Sequence, residues 1–357
     1  FRLYQERTWA NAYARTHDAV RARIPDARMS FTNPYRYNSL SGTDFALWTP
    51  HEELLLRYFH RHVVDRNRSW TDAPMVSWFG YQSNAAECRH FVWWFALNGG
   101  VIPIWWDPLE PWAYSGKEGY TPWYMLDPLW RPTGRSQAVS AAAHDLQTGL
   151  GKALRVAKRP SPEALIIHSQ PSMHVLYAGP ALRLGRPTDE GYNAYRASDD
   201  AMAAAIKRHG FAYEYALPEE LSAAKLAGVQ FVALPSCVAL PDSACDALRA
   251  FVDAGGKLVA DVMPATFDQH GKPRAESPLA DLFDGTRAIL LQAGDDDATT
   301  RLTRCIAGLN CAPAVTWQTS VAVLPRDAEL YRFALEGNQL IGLVRSPRKE
   351  ATAEGPI

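Results

Sequence analysis

Residues 248–259 read LRAFVDAGGKLV, a helix that passes directly into a strand. Apolar side chains recur every three or four residues as far as Ala254, which predicts an amphipathic helix. Gly255 and Gly256 end it, because glycine adopts the left-handed conformation of a helix C-cap without strain. The apolar residues after Lys257 predict a buried strand that starts at once.

Similar elements alternate on both sides of this stretch. Phe231–Leu234 is continuously apolar, which is typical of a strand in a sheet covered on both faces. The alternation predicts an α/β domain with a parallel sheet over residues 159–321, and prolines at 160 and 162 mark its start. The predicted strands are Ala164–His168, Phe211–Tyr215, Phe231–Leu234 and Lys257–Asp261, and the predicted helices are Tyr192–His209, Glu219–Ala227 and Pro241–Ala254.

Residues 1–158 predict a second series of strand–helix units. Four such units form half of an eight-stranded (β/α)₈ barrel, so we expect this segment to be the C-terminal half of one. The predicted strands are Arg28–Thr32, Phe45–Trp48, Pro74–Phe79 and Val101–Trp106, and the predicted helices are Tyr4–Arg23, Pro50–His62, Asn84–Asn98 and Arg135–Val156. Because the chain opens at Phe1 inside a helix, we expect a preceding segment. The compartment, bacterial cytoplasm or periplasm, stays open.

The C-terminal residues 322–357 predict the start of a β-rich domain. Leu330–Ala334 and Gln339–Val344 flank a turn at residues 336–338, which is the pattern of a hairpin.

Bulk properties exclude several classes of function. The formal net charge is −1, which indicates neither a nucleic-acid partner nor an anionic membrane surface. The longest apolar runs are far shorter than the roughly 20 residues of a membrane span. The five cysteines form no C-x-x-C pair; Cys305 and Cys311 could form a disulfide, but buried free thiols are the better interpretation.

Tryptophan is concentrated in the first half, where eleven of the twelve precede residue 131. Indole rings offer flat apolar faces, which suit a cleft that stacks sugar rings. The competing interpretation is a tryptophan-rich core, and for the pair Trp105 and Trp106 the two are evenly matched.

The second half resembles the trimerisation domain of the family-42 glycoside hydrolases, the bacterial β-galactosidases and their relatives. The resemblance rests on the order of elements, on residues 248–259 and on the strand Val232–Leu234 with Pro235 after it. The first half looks like the last four units of the same enzymes' barrel, since residues 92–101 form a helix and a glycine turn before Trp105 and Trp106. The resemblance implies a flavodoxin-like second domain, a homo-oligomer (trimer or dimer) and a β-linked glycoside substrate. It also implies a nucleophilic glutamate at the end of barrel strand seven, but residues 74–81 contain no carboxylate.

Two acidic residues are candidates for catalysis, because glycoside hydrolysis uses a pair of carboxyl groups and barrel sites lie where strands end. Glu87 follows the third predicted strand, and Asp107 follows the fourth. Each has a structural alternative: Asn84 and Glu87 have the spacing of a capping box, and Asp107 precedes Pro108 in a turn. By the same positional argument, the candidate substrate-binding residues are Asn33, Asp44, Trp78, Tyr81, Trp105 and Trp106.

Cofactor motifs are absent from the sequence. It contains no H-E-x-x-H or equivalent metal spacing, no G-x-S-x-G and no phosphate-binding loop, so we expect neither a metal nor another cofactor. The leading hypothesis is a retaining glycosidase whose tryptophan-lined barrel binds a sugar and whose two carboxylates are divided between this segment and a preceding one. The alternatives are a non-catalytic relative that binds carbohydrate or only assembles, and a flavodoxin-like regulatory or ligand-binding module fused to an unrelated half.

Overall fold

A computed structural model of the 357-residue chain shows a mixed α/β fold with two parallel sheets. It describes residues 2–30, 44–58, 61–79, 84–105, 125–127, 129–157, 160–184, 190–290, 298–313, 328–336 and 339–347.

The first sheet contains three parallel strands in the order β1-β2-β3. Helix α4 packs on one face of it, where Phe79, Phe95 and Met75 are buried together. The elements of this half are α1 (Arg2–Arg21), α2 (Phe45–Trp48), β1 (Leu55–Tyr58), α3 (Arg61–Trp70), β2 (Met75–Phe79), α4 (Ala85–Leu97), β3 (Gly100–Trp105), α5 (Gly134–Asp145) and α6 (Gly151–Val156).

Two elements of this half were predicted wrongly. Phe45–Trp48 is a short helix, because Asp44 accepts a hydrogen bond from the amide of Ala46 and so caps it. The expected helix Pro50–His62 contains the strand Leu55–Tyr58, which pairs with β2. Apolar runs this short carry no periodicity that separates helix from strand.

The described residues 28–30 of the expected strand Arg28–Thr32 do not form a strand. Hydrogen bonds that involve side chains hold this segment in place of a backbone ladder. The amide of Leu56 donates to Ser30 Oγ at 2.8 Å, and the amide of Met29 donates to a carboxylate oxygen of Glu53 at 3.0 Å. Residues 31 and 32 lie outside the described part of the chain.

The second sheet contains five parallel strands in the order β5-β4-β6-β7-β8, which is 2-1-3-4-5 when they are counted along this half. Every residue of β4 and of β6 is buried, and alternate side chains enter separate apolar clusters on the two faces. The sheet is therefore covered on both sides, as the apolar strands predicted. Its elements are β4 (Ala164–Ile167), α7 (Gln170–Leu184), α8 (Glu190–Arg208), β5 (Tyr213–Ala216), β6 (Phe231–Leu234), α9 (Asp242–Asp253), β7 (Lys257–Ala260), β8 (Ala288–Leu290) and α10 (Ala298–Gly308).

One predicted helix of this half is also wrong. Residues 218–220 form a single 3₁₀ turn, and the expected helix Glu219–Ala227 continues as turns. The amide of Lys225 donates to Ser222 Oγ at 3.3 Å, and such local serine bonds compete with helical ones.

The two glycine pairs make the same joint between a helix and a strand. Gly99 and Gly255 have φ of 87° and 97°, which is the left-handed region. A β-carbon at Gly100 would lie 2.3 Å from Cδ1 of Phe95, and one at Gly256 would lie 2.3 Å from Cζ of Phe251. In each joint the first glycine provides the turn, and the second makes room for a phenylalanine ring five residues earlier.

The last described elements are β9 (Ala328–Glu336) and β10 (Gln339–Pro347), which pair in antiparallel fashion. The predicted hairpin is therefore confirmed.

Helix α3 joins the two halves of the chain. The guanidinium of Arg66 pairs with the carboxylate of Asp199 on α8, and both side chains are almost completely buried. Arg66 also lies over the ring of Tyr215 in β5, 5.4 Å from its centroid. Ser69 Oγ accepts a hydrogen bond at 2.9 Å from the amide of Tyr215, so α3 covers an edge strand of the second sheet.

We expect removal of one partner of the Arg66–Asp199 pair to destabilise the fold strongly. Arg66→Met leaves the carboxylate of Asp199 buried without its cation, which costs about 3–5 kcal/mol of unfolding free energy. Urea unfolding measures the change. The control is Arg249→Met, because Arg249 pairs with Asp281 at 2.7 Å on the surface and exposed pairs contribute about 0–1 kcal/mol. Equal losses in both variants would contradict the importance of the buried pair.

Candidate functional site

The ends of β2 and β3 form the edge of the first sheet at which the sequence placed most candidate residues. The strands are parallel, with Phe79 opposite Trp105, so their C-terminal ends meet at one edge. Glu87, Asp44, Trp78 and Trp105 are described. Four further candidates, Asn33, Tyr81, Trp106 and Asp107, lie outside the described residues.

Trp78 and Trp105 lie on opposite faces of the sheet. Trp105 is aligned with Phe79, its ring centroid is 5.5 Å from that of Phe79, and it packs against the apolar cluster beneath α4. Trp78 precedes Phe79, so its side chain projects from the other face, beside Ile104. The two indoles therefore cannot stack on one sugar, and Trp78 is the one that faces away from α4.

Glu87 occupies the first turn of α4 and is exposed. Its backbone amide donates to Oδ1 of Asn84 at 2.9 Å, so Asn84 caps the helix as the spacing predicted. The next charged residue, Arg89, donates to Asp145 of α5 at 3.3 Å. The carboxylate of Glu87 thus lies at the start of the helix that follows β2, at the helix end that favours a negative charge.

Asp44 is half-buried at the start of α2 and has an unusual acidity. Burial, followed by the negative charges of Glu6 and Glu219, raises the pKa of Asp44 to about 7, although hydrogen bonds from Ala46 and Leu47 oppose the rise. Glu6 is itself buried and contacts Gln170 and His174 of α7, with 3.1 Å between Glu6 Oε2 and His174 Nε2. Asp44 is therefore partly protonated at neutral pH, so it can both donate and accept a hydrogen bond.

The C-terminal edge of the second sheet carries a network of polar side chains. Open parallel sheets commonly bind ligands at this edge. Here Ser236, in the left-handed region with φ of 46°, donates from its amide to Asp261 at 2.6 Å and from its hydroxyl at 3.1 Å. Ser198 also donates to Asp261. The carboxylate of Asp261 is thus engaged by three donors of the chain itself.

His168, which follows β4, belongs to a buried group that the sequence did not reveal. Its Nδ1 lies 3.0 Å from the hydroxyl of Tyr195, and its ring lies 5.6 Å from that of Trp70. Burial, and then the positive charge of Arg66, lower the pKa of His168 well below its usual value. The imidazole is therefore neutral, and its ring packs in the interior of the protein. A strand followed by His-Ser-Gln was the only sequence signal for it.

Among the described residues, no three His, Cys, Asp or Glu side chains converge on a point where an ion could bind. Within the same residues, every helix is too short or too polar to cross a bilayer.

Solved structures share this fold. The β-galactosidase from the Antarctic haloarchaeon Halorubrum lacusprofundi matches with a TM-score of 0.57 and 14% identity over 78% of this chain and 44% of that chain. The β-galactosidase from Bacillus circulans sp. alkalophilus gives a TM-score of 0.62 and 12% identity, over 79% of this chain and 43% of that one. The exo-carrageenase GH42 from Bacteroides ovatus gives 0.59 and 12%, over 87% and 44%.

At this level of identity these matches show the fold alone. The resemblance expected from the sequence is confirmed at that level, and the chain spans less than half the length of the three structures. No protein-family model matches the sequence, and no curated protein matches it either.

The acidity of Asp44 leads to a pH-dependent stability. In the unfolded chain Asp44 releases its proton near pH 3.8, and in the folded chain near pH 7. The folded chain therefore binds the extra proton, and this contribution to stability is lost as the pH rises from about 4 to about 7. Asp44→Asn keeps the capping oxygen and removes the charge, so we expect it to unfold like the wild type near pH 4 and to be more stable by about 1–3 kcal/mol at about pH 8.

Urea unfolding of both proteins at the two pH values measures the difference. Glu87→Gln is the control, because that carboxylate is exposed. A gap between Asp44→Asn and the wild type that does not change with pH would show that Asp44 has an ordinary acidity.

Proposed function

We propose that this chain forms the C-terminal half of a (β/α)₈ catalytic barrel (1–158), a flavodoxin-like domain (159–321) and the start of a β-rich domain (322–357). Three parallel strands with helices between them support the first assignment. The strand order 2-1-3-4-5 supports the second, because flavodoxin-type sheets have that order. The antiparallel pair β9 and β10 supports the third.

We propose that the protein hydrolyses a β-linked glycoside. The observation that carries this proposal is the position of Trp78: it lies near the C-terminal end of a parallel strand, on the face opposite α4, in a fold shared with β-galactosidases. Active sites of barrel enzymes lie at that end of the strands, and an indole face suits a sugar ring. Asn33, Asp44, Tyr81, Trp105 and Trp106 are the further proposed substrate-binding residues, although the ring of Trp105 packs on the α4 face and so does not face the same side of the sheet as Trp78.

The proposed chemistry is a retaining displacement by two carboxyl groups. Such groups stand about 5–5.5 Å apart, one as nucleophile and one as acid and base. In the sequence Asp107 comes two residues after the end of β3, and Glu87 lies in the first turn of α4, the helix that follows β2. They are the two catalytic candidates of this chain, and we propose that one of them acts together with a carboxylate from a preceding barrel segment.

A non-catalytic relative that binds carbohydrate is the second candidate. Two observations favour it: residues 74–81 contain no carboxylate, and the first turn of α4 accounts for the spacing of Asn84 and Glu87. Binding in such a protein would depend on Trp78 and would be independent of either acid.

Turnover and binding together separate the two candidates. We expect Asp107→Asn and Glu87→Gln each to reduce hydrolysis of an aryl β-galactoside by about 10³-fold or more while sugar binding persists, because each change removes a reacting group and keeps its size. Trp78→Ala should weaken sugar binding, measured by fluorescence titration, and Trp9→Ala, whose side chain is exposed on helix α1, is its control.

Unchanged turnover in both acid variants would remove them from the mechanism. Binding of sugar without turnover in the wild type would favour the non-catalytic candidate. Neither binding nor turnover would contradict both candidates.

We also propose that the protein is a homo-oligomer, a trimer or dimer, that assembles through the second domain, as the resemblance of that domain's sequence to the trimerisation domain of the family-42 glycoside hydrolases implies. Sedimentation velocity should show a species larger than 39.7 kDa. A single monomeric boundary at all concentrations would contradict the assembly.

A further inference from the structure

A short hairpin lies in the connection between β3 and α5. The amide of Asp127 donates to the carbonyl oxygen of Arg131 at 2.9 Å, and the amide of Trp130 donates to the carbonyl oxygen of Asp127 at 2.8 Å. Leu126 and Pro132 form an antiparallel bridge next to this turn. These bonds have the pattern of a three-residue hairpin loop, in which the last loop residue adopts the left-handed conformation.

The base of the hairpin is fixed to the helix that follows it. The amide and the hydroxyl of Thr133 both donate to the carbonyl oxygen of Met125, each at 3.0 Å. Met125 is buried, and Thr133 is the N-cap of α5. The position of the hairpin is therefore set by the position of α5.

The carboxylate of Asp127 organises the turn. Its Oδ1 accepts hydrogen bonds from the amides of Leu129 and Arg131, both at 2.9 Å, and its Oδ2 accepts one from Nε of Arg131 at 2.7 Å. Asp127 and Arg131 are the only charged residues between positions 125 and 133. The hairpin is thus held by its own hydrogen bonds and has no net charge.

Trp130 occupies the position of the loop at which a side chain is least expected. Its φ is 63°, in the left-handed region, where glycine is the usual residue because a β-carbon raises the conformational energy. Packing does not offset this strain, since 70% of Trp130 is exposed, and so is 70% of its neighbour Leu129. Strained residues of this kind are concentrated at functional sites, so the exposed indole is itself the feature that requires a function.

The size and the charge of the hairpin favour a sugar as the occupant of this indole. A stable protein interface buries about 800 Å² on each partner, which is more than the tip of one hairpin provides. An anionic membrane attracts a cluster of basic residues, whereas the single arginine of the hairpin is paired with Asp127. A sugar ring requires one flat apolar face, and the indole of Trp130 provides it.

The place of the hairpin in the chain agrees with a sugar ligand. It belongs to a connection that leads from a strand to a helix, and barrel enzymes build their sites from such connections. We propose that Trp130 stacks on a sugar unit of an oligosaccharide, other than the unit that stacks on Trp78. This inference rests on the proposed function and narrows its substrate class, because a ligand that reaches a second indole contains several linked sugars.

Calorimetric titration of the 357-residue chain with the β-1,4-linked tetraoses of galactose, glucose and mannose tests the proposal. We expect at least one tetraose to bind saturably. Trp130→Gly should weaken that binding by about tenfold, because it removes the stacking face. Trp130→Phe keeps a flat ring and should retain most of the affinity.

Two controls separate binding from folding. Glycine relieves the strained backbone, so Trp130→Gly should unfold at a urea concentration no lower than the wild type does. Trp9→Ala removes an exposed tryptophan of α1 and should bind the tetraose as the wild type does. The proposal is overturned if no tetraose binds saturably at millimolar concentration, if Trp130→Gly binds as tightly as Trp9→Ala, or if Trp130→Gly unfolds at a lower urea concentration than the wild type.

The titration and the hydrolysis assay can fail independently of each other. Weaker tetraose binding in Trp130→Gly, in a protein that hydrolyses no glycoside, would support the stacking role and contradict the glycosidase. Hydrolysis of an aryl β-galactoside by the wild type, with unchanged tetraose binding in Trp130→Gly, would contradict the stacking role and leave the glycosidase in place.

Discussion

The ion pair between Arg66 and Asp199 is the contact on which the relative position of the two sheets depends. Strand order leaves β5 at an edge of the second sheet, with backbone amides that need partners. Helix α3 provides them from the first half, because Ser69 bonds the amide of Tyr215 while Arg66 covers its ring. Buried charges tolerate little displacement, so the pair fixes where α3 lies on β5.

The junction also accounts for the polar side chains that α3 buries. Asp65, Arg66 and Ser69 are neighbours on one helix, and all three reach partners on α8 or β5. An apolar helix face would pack in several orientations, whereas hydrogen-bonded charges restrict the choice, and we interpret the polarity of α3 as a means of specificity.

The local sequence pattern predicted the elements that are buried along their whole length or have clear residues at their ends. Phe231–Leu234 has the predicted bounds because a fully buried strand is apolar throughout, and α4 was confirmed because Asn84 and Gly99 mark its two ends. Helix α7 was not predicted from the sequence; its first turn contains Pro171, at a position where proline is tolerated. The junction was beyond reach, since Arg66 and Asp199 are 133 residues apart and nothing in either segment identifies the other. Among the candidate site residues, Trp78 and Trp105 lie on opposite faces of the sheet because Trp105 is aligned with Phe79, the residue after Trp78. The sequence could not predict this, since it requires the bounds and the register of β2 and β3.

The paired glycines after α4 and α9 have a bearing on how this chain can vary in length. In both joints the ring of a phenylalanine fills the space that a β-carbon would occupy on the glycine five positions later. Inserting or deleting a residue between ring and glycine would rotate the last turn by about 100° and put the ring against a different residue. Among related sequences, insertions and deletions should therefore collect in the connections that precede these helices. The two helix-to-strand joints should keep a constant length.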